Sequence, residues 1–521
     1  MKKFLLADYI VFFGYFLVAL AVALWASRRP KDHDRTSEDF FLAGRALPWW
    51  IIGTSLIASN ISTEQIIGMN GTAFESGIAV ISYSWIGACV AILIVAKFFL
   101  PTFLKTRIYS MPEFLEKRFD HRVSTGMGIF WLLMYVFVNL TSVMSLGAIT
   151  LDSVLGIPII WGIVGLACVS AAYTIYGGLS SVVWTDFLHV AVLVVGGFAV
   201  VCFGLNAITD TGGIVAGFAA CMKAAPEKFH TVLDASHNEL PWPGIFFGGL
   251  WIAAISYWGC NQYIIQRALA AKSRREAQNG LLFASFLSLI VSIIIVLPGI
   301  IAFVLYRDVI TSRDQAFPVL VRELVPIGSK GLIIAALVAA IVSSLNSMTN
   351  SVATIFTMDV YRRLFRRSAS ERELVITGRV ASAVALIVAV CCAPAVVRMG
   401  RLFAFIQEYS GFIFPGVFTT FLFGLFWKRA TSDAALWAAV CSIPVSALLK
   451  FALPDVAFLN RMTITFIILS VLVIIISLCS KQRPAEKALF DEEVSLKTSG
   501  IFKAGAIAIL GIVTALYLYF W

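Results

Sequence analysis

Charged residues are scarce in this chain. They make up 13% of 521 residues, where a soluble domain carries about 25%. Apolar residues reach 60%, and no polar stretch is long enough to fold by itself. That excludes a separate water-soluble domain and implies a polytopic membrane protein. None of the nine cysteines stands in a CxxC spacing, and all except Cys221 lie in apolar runs. No disulfide framework or cysteine metal site is therefore expected, and the cysteines read as small buried hydrophobes. HExxH and GxSxG are also missing. None of the five histidines (His33, His121, His189, His230, His237) is placed by the sequence at a polar midplane. Both absences disfavour an intramembrane enzyme.

What is present is a succession of long apolar segments. The first, Ala7–Ala26, follows two lysines as a signal peptide would. It exceeds the roughly 7–15 residues of a secretory apolar core and is read as a retained span. Segments able to cross a ~30 Å hydrocarbon layer fall at 7–27, 47–71, 77–103, 123–151, 157–177, 184–206, 244–266, 278–305, 331–358, 376–398, 402–427, 434–453, 460–480 and 501–521, fourteen in all. Alternate loops differ in charge. One side (28–46, 104–122, 178–183, 267–277, 359–375, 428–433, 481–503) carries 26 Lys and Arg, while the N-terminus and the other loops carry 12. The positive-inside bias makes the first side cytoplasmic and both termini external. The net charge of +10 is then an orientation signal and not a nucleic-acid footprint, and YRRLFRRSASER (361–372) reads as a cytoplasmic loop in preference to a lipid-headgroup switch. The loop 207–243 reads as a partly helical external cover.

Three segments carry polar chemistry that lipid would penalise. SNISTEQ (59–65), with Gly53, Gly68 and Gly71 around it, interrupts the second segment, and SYWGCNQY (256–263) interrupts the seventh, five spans later. Paired interruptions in corresponding spans point to an inverted-repeat transporter with a midplane site, where freed backbone groups line a cavity. The alternative is two unrelated helices whose polar groups bond to neighbours. In the ninth segment Ser343, Ser347 and Ser351 recur every four residues beside Ser344, Asn346 and Asn350. These suit either close helix packing or ligation of a hard alkali cation by neutral oxygens. Asp186 is open to two readings, an interfacial helix cap or part of a cation exit path. Glu64, at membrane depth, requires a partner.

SNISTEQIIGM, YVFVNLTSV (135–143), YGGLSSVVWTD (176–186), YWGCNQYIIQRALAAKS (257–273), AAIVSSLNSM (339–348) and FIQEYSGFIFPG (405–416) resemble the sodium–solute symporter family. The similarity is greatest to its bacterial sodium/galactose and animal sodium/glucose branch, over essentially the whole chain. The resemblance implies an all-α polytopic protein with a LeuT-like core of two inverted five-helix repeats. One span (1–46) precedes the repeats (47–243 and 244–429) and three (430–521) follow them. It implies Na⁺ as coupling ion, held by the carbonyls of Ala58, Ile61 and Ala340 and the hydroxyls of Ser343 and Ser344, with Asp186 assisting its release. It implies a sugar cradle of Gln65, Asn139 and Gln407 beside Glu64, and a stacking ring at Tyr257 held by Asn60. Met69, Tyr83, Tyr135 and Phe403 match an outer lid. Ser84, Ala254 and Ser288 depart from the sugar pattern, which has Glu, Asn and Lys there, so the identity of the sugar stays open. No Arg or Lys is expected near the cavity, which argues against a carboxylate solute such as sialate. The partners implied are a small neutral solute and the bilayer of a plasma membrane, the inner membrane for a bacterium. No nucleic acid is implied, and a monomer suffices.

Overall fold

The computed structural model describes residues 6–27, 36–62, 64–209, 212–326, 329–397, 402–480 and 495–521; the side chains of Glu64, Ser153, Val154, Tyr176 and residues 402–409 lie outside that description. The described residues are helical almost throughout, and their only β feature is an isolated bridge between Leu47 and Ala271. Eleven described helices are long and apolar enough to cross a membrane, with Ile159–Ile175 and Ser410–Phe426 as shorter apolar pieces. The difference from fourteen expected segments has a physical source. The break at Ile61 divides the second segment, the segment at 157–177 runs on into the next and counts only as the shorter Ile159–Ile175, and that at 402–427 is described as Ser410–Phe426.

One join is at Gly178. It sits inside the 50-residue helix Ile159–Ile208 at φ 60, ψ −153. A Cβ there would lie 2.5 Å from the Phe40 carbonyl oxygen, so the position needs glycine for both conformation and space.

The two interruptions are as regular as the sequence suggested. Helix Trp49–Asn60 ends at Ile61, whose backbone is extended (φ −78, ψ 111), and a π-helical stretch resumes at Glu64. Helix Gly249–Ile255 runs into a π-helical turn, Ser256–Cys260, and stops at Asn261 (φ −86, ψ 124) before Gln262–Leu269 begins. The start of the first broken helix lies against the end of the second. Leu47 N–H donates to the Ala270 carbonyl (3.1 Å) and Lys272 N–H donates to that of Leu47 (3.2 Å). The two broken helices thus run in opposite senses side by side, as an inverted pair requires.

Burial separates a centre from a periphery. Ser329–Phe365 is buried almost throughout, while Leu6–Ala26 is mostly exposed. The former helix packs on Ile159–Ile208 and both broken helices. Leu6, Ile10, Phe13 and Leu17 instead turn outward, as side chains facing hydrocarbon do. Ser432–Ala452, Phe458–Cys479 and Gly500–Tyr519 are similarly exposed. The cover expected over 207–243 contains the helices Gly213–Ala224 and Pro226–Phe229.

Candidate functional site

Where the first broken helix meets Ser329–Ile355, five side chains form a buried polar knot. Ser343 Oγ donates to Asp186 Oδ1 and Ser55 Oγ to Oδ2, both at 2.5 Å. Arg267 lies 3.6 Å from the same carboxylate, donates to Ser55 Oγ at 2.9 Å, and also reaches Ser347 Oγ and the Tyr263 carbonyl. Asp186, Arg267, Ser55, Ser343 and Ser347 are all fully buried. A bare carboxylate in this environment would be very costly, and the guanidinium with two hydroxyls offsets that. Because its proton is committed to Asp186, the Ser343 oxygen keeps its lone pairs for a cation.

One helical position on, the Ser344 hydroxyl faces the Ile61 carbonyl at 3.4 Å. That is longer than an ordinary O–H···O bond, so both oxygens remain available to a small hard cation. Ala58 and Ala340 border the same region and are buried (3% and 2% exposed). Ser59 Oγ, 2.9 Å from Ser347 Oγ, ties the first broken helix to this corner.

Above the corner opens a cavity of about 670 Å³. Ser344, Asn60, Gln65, Asn139 and Tyr257 line it, as do Met69, Tyr83, Ser84 and Ala254. Its mouth is formed by Glu239, Arg313, Asp455 and Arg461, from loops opposite the strongly basic ones, so two arginines line the cavity where the sequence led us to expect none. Arg313 bridges Glu75 and Glu239, each at 3.0 Å, pinning the loop 207–243 to the first broken helix. Asn60 and Gln65 pair side by side (3.1 Å), and the buried Asn139 Oδ1 meets no donor. Amides that both donate and accept, around an aromatic ring, suit a polyhydroxylated solute.

The floor is closed. Tyr257 and Tyr263 meet edge to face at 5.8 Å, and Tyr263 meets Tyr135 in the same way at 5.6 Å. Tyr135 donates to Asn261 Oδ1 at 2.5 Å and accepts from Gln262 N–H at 3.1 Å. Gln262 in turn accepts from Met111 N–H (2.8 Å) and donates to the Tyr109 carbonyl (3.1 Å), reaching the basic-loop face.

Several sequence expectations change here. Tyr135 is no part of an outer lid, since it is fully buried at the second break. Ser288 is not on the cavity wall. It donates to the Ala284 carbonyl of its own helix at 3.0 Å and is 5% exposed. Asp186 is no interfacial cap, lying fully buried well inside its helix. Asn60 pairs with Gln65. Arg267, which the loop count treated as cytoplasmic, is the buried partner of Asp186. His189 is also buried, 3.9 Å from Asp186, although no histidine was expected at the polar centre. The Glu64, Phe403 and Gln407 side chains fall outside the described residues. Arg267 could have been found from the sequence. It lies six residues after Asn261, only about 9 Å along the helix that restarts at the break, so it is still at membrane depth.

An all-helical membrane protein with two broken helices, a closed floor and a hydroxyl-and-carbonyl corner below a polar cavity has the build of the inverted-repeat secondary transporters. The sodium:solute symporter family profile matches residues 40–441. A sodium/glucose cotransporter of Vibrio parahaemolyticus is 43% identical, over 99% of this chain and 98% of that protein. The human sodium/myo-inositol cotransporter 2 is 34% identical over 84% of this chain and 68% of its own. A solved Na⁺-coupled sialic acid symporter in a substrate-bound outward-open state superposes with TM-score 0.81. It is 26% identical, covering 93% of this chain and 100% of that one. The chain belongs to the sodium:solute symporter family, has its LeuT-like inverted-repeat fold, and is a sodium-coupled transporter rather than an enzyme.

Proposed function

We propose that this protein imports a neutral monosaccharide of the galactose/glucose type together with Na⁺ by alternating access. The observation that carries the reading is the continuous cavity from Arg461 at the mouth to Ser344 at the base, joining an amide-lined pocket to a cation corner. In this reading Na⁺ is held by the carbonyls of Ala58, Ile61 and Ala340 and the hydroxyls of Ser343 and Ser344. Its binding joins the first broken helix to Ser329–Ile355 and favours the outward-open cradle. The sugar then meets Gln65, Asn139 and Gln407, beside Glu64, and stacks on Tyr257 under Met69, Tyr83 and Phe403. Occlusion follows, the floor opens, and Na⁺ leaves past Asp186 before the solute. The membrane potential adds ~2.3 kcal/mol per charge per 100 mV.

The basic face is cytoplasmic in this reading, both termini are external, and the chain works as a monomer with fourteen spans in a bacterial inner membrane. The repeats occupy 47–243 and 244–429, preceded by 1–46 and followed by 430–521. Small residues at Ser84 and Ala254 leave the wall roomier than the usual sugar pattern, so the pocket selects hydroxyl geometry less strictly. Similarity to myo-inositol cotransporters supports inositol as the second solute to test.

The deciding experiment is sodium-jump uptake into proteoliposomes with a competing panel of monosaccharides, inositol, nucleosides, amino acids and carboxylates. Competition by hexoses is expected. If no sugar competes, the monosaccharide assignment is lost. Counterflow separates transport from channel activity, because a channel shows no trans-stimulated exchange.

A further inference from the structure

A second cavity, of about 460 Å³, opens on the basic-loop face, far from the solute site. It lies between helix Met111–Arg118 and the π-helical end of the central helix, Phe356–Phe365. Six charged side chains line it, and three of them are already engaged. Glu113 is paired with Lys117 at 2.7 Å and accepts from Tyr109 N–H at 2.7 Å. Glu116 pairs with Arg363 at 2.9 Å, and Arg363 also donates to Ser124 Oγ.

The other three are left over. Arg362 and Arg367 have no carboxylate partner among the described residues. Asp359 is 6% exposed, and its Oδ2 meets no donor. The cavity therefore offers two guanidiniums without a carboxylate partner among the described residues and one half-satisfied buried carboxylate. Beside the arginines, Leu364 and Phe365 are 53% and 73% exposed, at the end of a helix long and apolar enough to cross a membrane. Adjacent exposed apolar side chains at the end of such a helix suit contact with acyl chains.

We propose that this cavity binds the head group of phosphatidylethanolamine from the basic-face leaflet. The phosphate is recognised by Arg362 and Arg367 and the primary ammonium by Asp359, while the acyl chains lie along Leu364 and Phe365. The charge pattern selects among lipids. An anionic head group such as phosphatidylglycerol satisfies the guanidiniums but brings no donor to Asp359. Phosphatidylcholine brings a cation without N–H and is too bulky to hydrogen-bond the carboxylate. Only a lipid with both a phosphate and a primary amine pairs all three groups. The site adjoins the end of the helix that carries Ser343 and Ser344, so occupancy stiffens the element on which the cation corner rests.

The test uses the full-length protein, purified and delipidated, with thermal unfolding followed on titration of phosphatidylethanolamine, phosphatidylcholine or phosphatidylglycerol of identical acyl chains. Phosphatidylethanolamine is expected to raise the midpoint at the lowest lipid concentration. Arg362→Ala with Arg367→Ala, both exposed and outside the transport machinery, should weaken its apparent affinity by roughly tenfold, at about fivefold for each surface arginine before losses to screening. Asp359→Asn should erase the preference for phosphatidylethanolamine over phosphatidylglycerol while leaving phosphate binding. Equal responses to all three lipids would overturn the site. A stronger response to phosphatidylglycerol would make it a plain anionic-lipid surface and also overturn it. An unchanged phosphatidylethanolamine response in the arginine double variant, which has no reason to misfold, removes it as well.

Discussion

The two helix breaks share a backbone conformation and differ in what holds them. At Ile61 the chain turns extended and its carbonyl faces a hydroxyl at 3.4 Å, with the Asn60–Gln65 pair alongside. At Asn261 it turns extended in the same way, yet Tyr135 clamps both the Asn261 side chain and the next N–H. Freed polar groups in a membrane must be satisfied by something. In the proposed reading the first break leaves that role to an ion and a solute, while Tyr135 satisfies the second. Similar backbone turns then serve as a binding site in one half and as a latch in the other.

The sharpest way to break this contrast is at the first site. Ser344→Ala should reduce sodium-driven accumulation to background, and undiminished uptake would remove Ser344 from the cation corner. Next in size is the knot beneath it. Arg267→Met strands Asp186 in a buried site and should cost about 3–5 kcal/mol of stability, read as a lower unfolding midpoint. Adding Asp186→Asn should recover most of that loss, and failure to recover would mean the two residues are not coupled. Tyr257→Ala should severely reduce sugar uptake while leaving sodium binding, and normal transport there would misplace the stacking ring.

A smaller effect is expected at the second break. Tyr135→Phe leaves Asn261 and Gln262 N–H short of a partner, at a cost of about 1–3 kcal/mol. The floor should then open more readily, seen as faster labelling of a cysteine placed at position 139 from the basic face. If labelling is unchanged, the second break is not latched by this hydroxyl. The smallest effect is at Ser288, which bonds only within its own helix. Ser288→Ala should shift stability by no more than about 0.5 kcal/mol and leave the KM for solute unchanged. A large KM change would return Ser288 to the solute pathway.

Much of this was visible in residue order. SNISTEQ and SYWGCNQY announced both breaks, because polar clusters inside long apolar runs have few physical explanations. The run around Ser343 and Ser344 marked hydroxyls inside an apolar helix, and the structure sets Ser344 3.4 Å from the Ile61 carbonyl. The errors share a different cause. Tyr135 and Ser288 were placed by the family resemblance, and Arg267 and His189 by their position along the spans, but a helical residue can face a cavity, a neighbouring helix or its own backbone. Ser288 turned to its own helix, Tyr135 to the second break, and Arg267 and His189 to Asp186.

Membrane insertion, the all-helical class, the positions of the breaks and the family follow from composition and local pattern, since the bilayer penalises every unsatisfied polar group wherever it occurs. Which break stays open, which carboxylate meets which guanidinium, and which charges are left unpaired on the basic face depend on contacts between residues far apart in the chain. Asp186 and Arg267, or Tyr135 and Asn261, become neighbours only when packing sets the rotation of each helix about its axis. No local pattern encodes that angle.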